Sequence, residues 1–245
     1  MSAASGSAEA ASGLPDPDRL RVALREARDD AAPFALVAAG ILAVLAFVSR
    51  HAGWELLGHR FWWIWLLVAA PYGLLSATLL LGLGRLVQHD RRREIVIVLL
   101  TLVWVFNVLG VVVLVVSLVS HSGVHISGRQ LLFSSGVAWF TNAIAFGLAF
   151  WELDCGGPVN RALATWARTT PDFMFPQDDN RHVARVGWSP RLWDYFYVSL
   201  TNATAFSPTD ALPLTRPAKA LMAAESTLSA ITVLLVAARA VNILA

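Results

Sequence analysis

Charge is scarce in this chain. Only 15% of its 245 residues are Asp, Glu, Lys or Arg, against roughly 25% in soluble domains, while 56% are apolar. The few charges cluster between long uncharged runs, the pattern of an integral membrane protein. Cysteine is nearly absent too. Cys155 stands alone, which excludes an intrachain disulfide and a cysteine-rich metal site. A net charge of +2 is too small to point to a nucleic-acid partner. There is no HExxH, no P-loop, and no serine in a nucleophile-elbow context. His121 and His125 are four apart, but Gly123 between them argues against a helix that presents both to a metal. No catalytic residue, metal or cofactor is therefore assigned, and only the carboxylates of the 152–179 loop keep an enzyme in view.

What is present is a series of apolar runs. A bilayer core about 30 Å thick takes roughly 20 helical residues. Residues 34–48, extended back through Ala31 and Ala32, make a first span; 61–84 a second, with a kink expected at Pro71; 95–118 an uncharged third. Residues 131–151 make a fourth, carrying Ser134, Ser135, Thr141 and Asn142, and 220–238 a fifth that contains Glu225. The expected fold is all-α, with about five transmembrane helices and a C-terminal re-entrant segment. Trp54, Trp62, Trp63, Trp151, Trp188 and Trp193 flank apolar runs, where indole favours the interface.

The chain divides into three parts. Residues 1–30 hold a tail expected to be disordered through Asp18, then a short basic amphipathic helix over 19–30 that suits anionic lipid or serves as a solvated, orienting tail. Residues 31–130 form a three-helix transmembrane region. Residues 131–245 form a pore-like module: span 131–151, polar loop 152–191, re-entrant segment 192–216 and span 217–243. The amphipathic, aromatic stretch 192–206 reaches only about 22 Å as a helix, too short to cross unaided. Pro208 and Pro213 force non-helical backbone before Pro217 opens the last helix.

"DYFYVSLTNAT" (194–204) followed by "PLTRPAKALMAAES" (213–226) resembles the pore helix and the approach to the inner helix of the tetrameric potassium-channel-like cation channels. The likeness covers 131–244 and is specific over roughly the last fifty residues. The stretch "TNATAFSPTD" is also similar to a group of uncharacterised bacterial inner-membrane proteins, which adds no activity. The channel resemblance implies an oligomeric pore, a tetramer by analogy, with Thr204, Phe206, Ser207, Thr209 and Asp210 in the filter region and monovalent cations as partners. Aligning Asp210 with the family's terminal Asp puts Ser207 and Thr209 where the filter has glycines. Those glycines allow positive φ and aim successive carbonyls at the ion; Pro208 fixes φ instead. Poor potassium selectivity follows, with hydroxyls and the Asp210 carboxylate in place of carbonyl rings.

Asp210 fits a ring at a pore mouth, a cap on the "ALPLTR" turn, or a partner for Arg216. Glu225, costly within a span, fits an ion ligand or a hydrogen-bonded tie between helices. Asn107 and Asn142 fit interhelical hydrogen bonds more readily than ion binding. The sequon at Asn202 is discounted because a re-entrant segment is a poor glycosylation acceptor.

For the first three spans, Arg19, Arg21, Arg25 and Arg28 before span one and Arg85, Arg91, Arg92 and Arg93 between spans two and three outnumber Arg50, Arg60 and Arg129 in the alternate loops. The positive-inside rule then places the N-terminus in the cytoplasm of a multi-pass protein of the cell membrane, a bacterial inner membrane by the second resemblance. Cys155, beside the end of span four, offers a thiol reporter of sidedness. Passive cation conduction is the leading functional expectation. A non-conducting scaffold or partner-binding protein of the same shape is the alternative, with a transporter behind it.

Overall fold

The first helix is long because nothing in its sequence stops it. In the computed structural model, which describes residues 17–55, 59–81, 89–119, 127–162, 170–180, 182, 184–204 and 210–244, helix α1 runs unbroken from Pro17 to His51. Its 35 residues measure about 52 Å. The separate basic helix and first span expected from the sequence are thus one element, and α1 passes straight through the boundary expected at residue 30. Pro17 and Asp18 are helical rather than part of a disordered tail. Pro33 sits inside the helix, on its exposed side.

The buried face of α1 is a stripe of small residues, Ala23, Ala27, Ala31, Ala35 and Ala38, continued by Leu42 and Leu45. These recur every three or four residues and so share one face. Alanine there lets neighbouring backbones approach closely. The opposite face carries Leu36, Val37, Val44 and Phe47, all exposed. Helix α3 (His89–Val119) repeats the arrangement, with Leu99, Val103, Asn107 and Val111 buried and Ile97, Val98, Val105 and Val112 outside. Small and polar residues inside with large apolar ones outside suit a lipid surrounding, where van der Waals fit and hydrogen bonds drive association. Four segments among the described residues, Leu20–His51, Trp63–Leu80, Glu94–Val113 and Gly128–Gly156, are long and apolar enough to cross a membrane.

Helix α2 (Trp63–Leu80) and the largely buried α4 (Gly128–Leu153) complete this group. Ser127 caps α4, its side chain accepting from Gln130 N at 3.2 Å. Gln130 Nε2 donates to Glu55 O (2.8 Å), which puts the start of α4 beside the end of α1. At the other end Trp151 lies in one cleft with Ala23 and Ala27, so α1 and α4 are antiparallel. Mid-length, Asn107 of α3 donates to the Tyr72 hydroxyl (2.5 Å), Tyr72 donates to Thr141 O (2.8 Å), and Thr141 Oγ1 lies 3.3 Å from Asn107 Oδ1. This triad joins α2, α3 and α4. Trp151 is buried against protein, whereas Trp63 and Trp193 are exposed.

Beyond α4 the chain builds a polar cap. A 3-10 turn (Asp154–Gly156), α5 (Pro158–Ala162), β1 (Phe173–Met174) and α6 (Pro176–Asp179) precede α7 (Leu192–Thr204). β2 (Leu212–Pro213) pairs antiparallel with β1, Phe173 opposite Pro213 and Met174 opposite Leu212. Helix α8 (Arg216–Leu244) follows, with Pro217 in its first turn; it covers residues 220–238, where the sequence suggests a fifth span, but is not among the four segments that are long and apolar enough to cross. The architecture is all-α apart from that short pair.

Cys155 is 7% exposed, with φ of 53°, so it does not serve as the surface reporter of sidedness that its place in the sequence suggested, whereas Val186 is fully exposed. In folded, purified protein a membrane-impermeant maleimide should modify a Val186→Cys variant and leave Cys155 untouched until denaturant is added. Mass spectrometry of the labelled peptides checks this; rapid labelling of native Cys155 contradicts the packing.

Candidate functional site

The short helix α7 is the element whose placement decides the site. Its buried face comprises Leu192, Tyr195, Phe196, Val198, Ser199 and Ala203, a spacing of three and four that presents one side to its neighbours. Going down α7, the contacts climb back along α4. Tyr195 bonds Asp154; Ser199 Oγ lies 2.7 Å from Ala143 O; Trp139 Nε1 donates to Ala203 O at 3.3 Å. α7 therefore runs antiparallel to α4, from its C-terminal end to well inside it. The two helices touch closely at Gly147, where a Cβ would stand 2.9 Å from the Cα of Phe196. Phe34 of α1 packs on Phe196 with ring centroids 5.1 Å apart, closing the third side.

Chain on the far side of the α7 tip returns to where it began. Leu214 N donates to Asp172 O (2.8 Å), and Thr215 Oγ1 donates to Asp172 Oδ1. Asp172 N and Phe173 N in turn donate to Asp154 Oδ1 at 2.7 and 3.2 Å. Asp154 is 2% exposed and also accepts from the Tyr195 hydroxyl through Oδ2. Arg161 closes the knot. Its Nη1 donates to Trp151 O (2.9 Å) and Asp154 O (2.5 Å), capping the last carbonyls of α4, and its guanidinium lies 5.1 Å from the centre of the Tyr195 ring.

Deeper down, α7 is fastened to α8. Glu225 is fully buried; its Oε1 receives a hydrogen bond from Ser199, and Oε2 accepts from Asn202 Nδ2 (2.7 Å). Asn202 Nδ2 also donates to Met222 O (2.9 Å), and Ser226 Oγ donates to Asn202 Oδ1 (2.9 Å). One turn on, Asn142 Nδ2 of α4 donates to Ser229 Oγ (3.4 Å). A carboxylate whose oxygens are both engaged by side chains of the same chain is a tie between helices.

The expected site residues thus separate. Glu225 and Asn142 share the α4–α7–α8 interior, and Asn107 belongs to the distant triad with Tyr72 and Thr141. Thr204, at the end of α7, and Asp210 are both exposed. Asp210 and Arg216 form no ion pair among the described residues. Phe206, Ser207 and Thr209 lie outside the described residues, as do His121 and His125. No group of His, Cys, Asp and Glu suited to a metal occurs among the described residues. Sequence reasoning missed Asp154, Arg161 and Tyr195; the available signal was a carboxylate set directly after an apolar run and followed by Gly-Gly-Pro. No family model, curated protein or solved structure matches the chain.

Gly147→Val should overpack the α4–α7 contact against backbone and cost about 1–3 kcal/mol, read as a lower melting temperature in detergent. Glu225→Leu should destabilise further than Glu225→Gln, because Leu leaves Ser199 and Asn202 only their backbone acceptors, Ala143 O and Met222 O, while Gln keeps a side-chain acceptor and adds a donor. The difference should be about 1–3 kcal/mol in the same assay; equal losses would contradict the tie.

Proposed function

We propose that the chain is a multi-pass protein of the cell membrane whose α4, α7 and α8 form a pore-like module for passive passage of monovalent cations. The observation that carries this reading is where 192–204 and 210–216 attach. Tyr195 and Leu214 both fasten to the Asp154–Asp172 knot, while Ser199, Asn202 and Ala203 reach the middle of α4 and α8. A short helix that goes in beside one long helix, with the chain back at the starting level before the next, is the outline of an outer helix, pore helix and inner helix. In a bilayer α7 dips in partway, sheltered on its buried face by α1, α4 and α8. Helix α8 is the fifth crossing.

Arginine distribution favours a cytoplasmic N-terminus, and the cap lies at that same end of the helix group. Thr204 and Asp210, exposed on a single copy, face the axis of a homo-oligomer, a tetramer by analogy, where a ring of Asp210 carboxylates attracts cations. Without glycines at 207 and 209, potassium selectivity is poor. Glu225 holds α7 in place and is not a cation ligand in this reading.

A scaffold without conduction is the second reading, and it too has an observation in its favour. Ser199, Asn202 and Glu225 satisfy one another within one chain, so this group needs neither an ion nor a second copy.

In liposomes the purified protein should pass sodium and potassium at comparable rates, and Asp210→Ala should lower that flux several-fold. No flux above that of empty liposomes, together with a monomer in mild detergent, would rule out conduction and favour the scaffold.

A further inference from the structure

Two buried polar atoms are left without a partner in the cap, and both belong to residues that line one cleft. Among the described residues, Arg161 Nη2 is a donor with no acceptor, and Gln177 Oε1 an acceptor with no donor. The cleft measures about 690 Å³, within the size range of small-molecule sites, and lies between the knot, β1 and α6, and the chain around Trp188. The Arg161 side chain is only 10% exposed, so water from the bulk does not freely reach it.

The chemistry around Arg161 narrows the occupant. One edge of its guanidinium is spent on the α4 carbonyls through Nη1. The nearest carboxylate, Asp154, already accepts from two backbone amides and from Tyr195, and its Oδ2 stands 3.9 Å from Nη1, outside hydrogen-bond reach. The other edge therefore still offers a charged donor, the group that recognises oxyanions best. Arg185 on the same wall adds a second positive charge; the two lining carboxylates, Asp154 and Asp178, accept backbone amides, and Met174, Leu214 and Trp188 supply apolar and aromatic surface. Gln177 asks for a hydroxyl or amine donor on the same ligand.

We infer that this cleft binds a phosphate-bearing polyol, its oxyanion on Arg161 and a hydroxyl donating to Gln177 Oε1. The shared chemistry is that of a glycerol phosphate. The source is either a soluble polyol phosphate or the headgroup of an anionic lipid, since the cleft adjoins the end of the apolar segment Gly128–Gly156. The inference stands apart from the conduction reading and holds for a pore or a scaffold alike.

Thermal unfolding of the purified full chain tests it, with glycerol 3-phosphate and dioctanoyl-phosphatidylglycerol as probes and dioctanoyl-phosphatidylcholine as the control lacking a headgroup hydroxyl. At about ten times Kd, the fitting probe should raise Tm by about 3 °C. A rise with glycerol 3-phosphate assigns a soluble ligand; a rise with the lipid alone, and not with phosphatidylcholine, assigns a headgroup. Because Arg161 also caps α4, the deciding variant is Gln177→Met. Its Oε1 has no partner to lose, so the unliganded Tm should hold while affinity for the probe falls at least tenfold. No shift with either probe would overturn the inference and leave the cleft to water. So would an equal shift with phosphatidylcholine, or one unchanged by Gln177→Met.

Discussion

A single buried carboxylate organises the C-terminal half of this protein. Asp154 stands where α4 ends, and its two oxygens gather the Tyr195 hydroxyl from the start of α7 and two backbone amides from the segment that pairs with β2. An ionisable side chain so fully removed from water is tolerated only when its hydrogen-bonding capacity is used. Here that need brings together stretches of chain distant in sequence. Arg161 adds a second constraint by capping α4 and covering Tyr195 from one position. The placement of α7 follows from these attachments at one end and from its bonds to Glu225 at the other.

Below the knot, the helices associate by the rules that operate in lipid. Large apolar side chains face outward on α1 and α3, where burial against protein would gain little over burial in acyl chains. Alanine on α1, Gly147 on α4 and the hydroxyls and amides of α2, α3, α4 and α7 share the interior with buried Leu42, Leu75, Phe146 and Phe150. Close backbone approach and interhelical hydrogen bonds thereby add to the apolar packing. The Tyr72–Asn107–Thr141 triad and the Glu225 group are the two polar centres of this interior, one for each half of the protein.

The sequence disclosed the elements better than their attachments. Apolar length alone located α2, α3 and α4, and the aromatic amphipathic run gave α7 to within two residues of its end. It divided α1 wrongly, because a charged, arginine-rich turn reads as a boundary although nothing in it breaks a helix; helical hydrogen bonds continue regardless of side-chain charge. Glu225 stood out as a carboxylate in an apolar run, and its oxygens accept from Ser199 and Asn202. Asp154 and Arg161 did not stand out, since in a polar loop any charge passes for solvated surface. Their roles depend on which segments return to the same place, and only tertiary structure settles that.

The length of α1 has a mechanical consequence. Its N-terminal turns reach past the apolar part to the cap, where Asp30 lies 3.7 Å from Arg191 at the foot of α7. A rod about 52 Å long that pivots near the bilayer centre by 5° moves its far end by about 3 Å. Changes in bilayer thickness that alter tilt therefore arrive at the cap as lateral displacement of a stiff rod, about half as large at Asp30, where it touches the segment leading into α7, as at the far end.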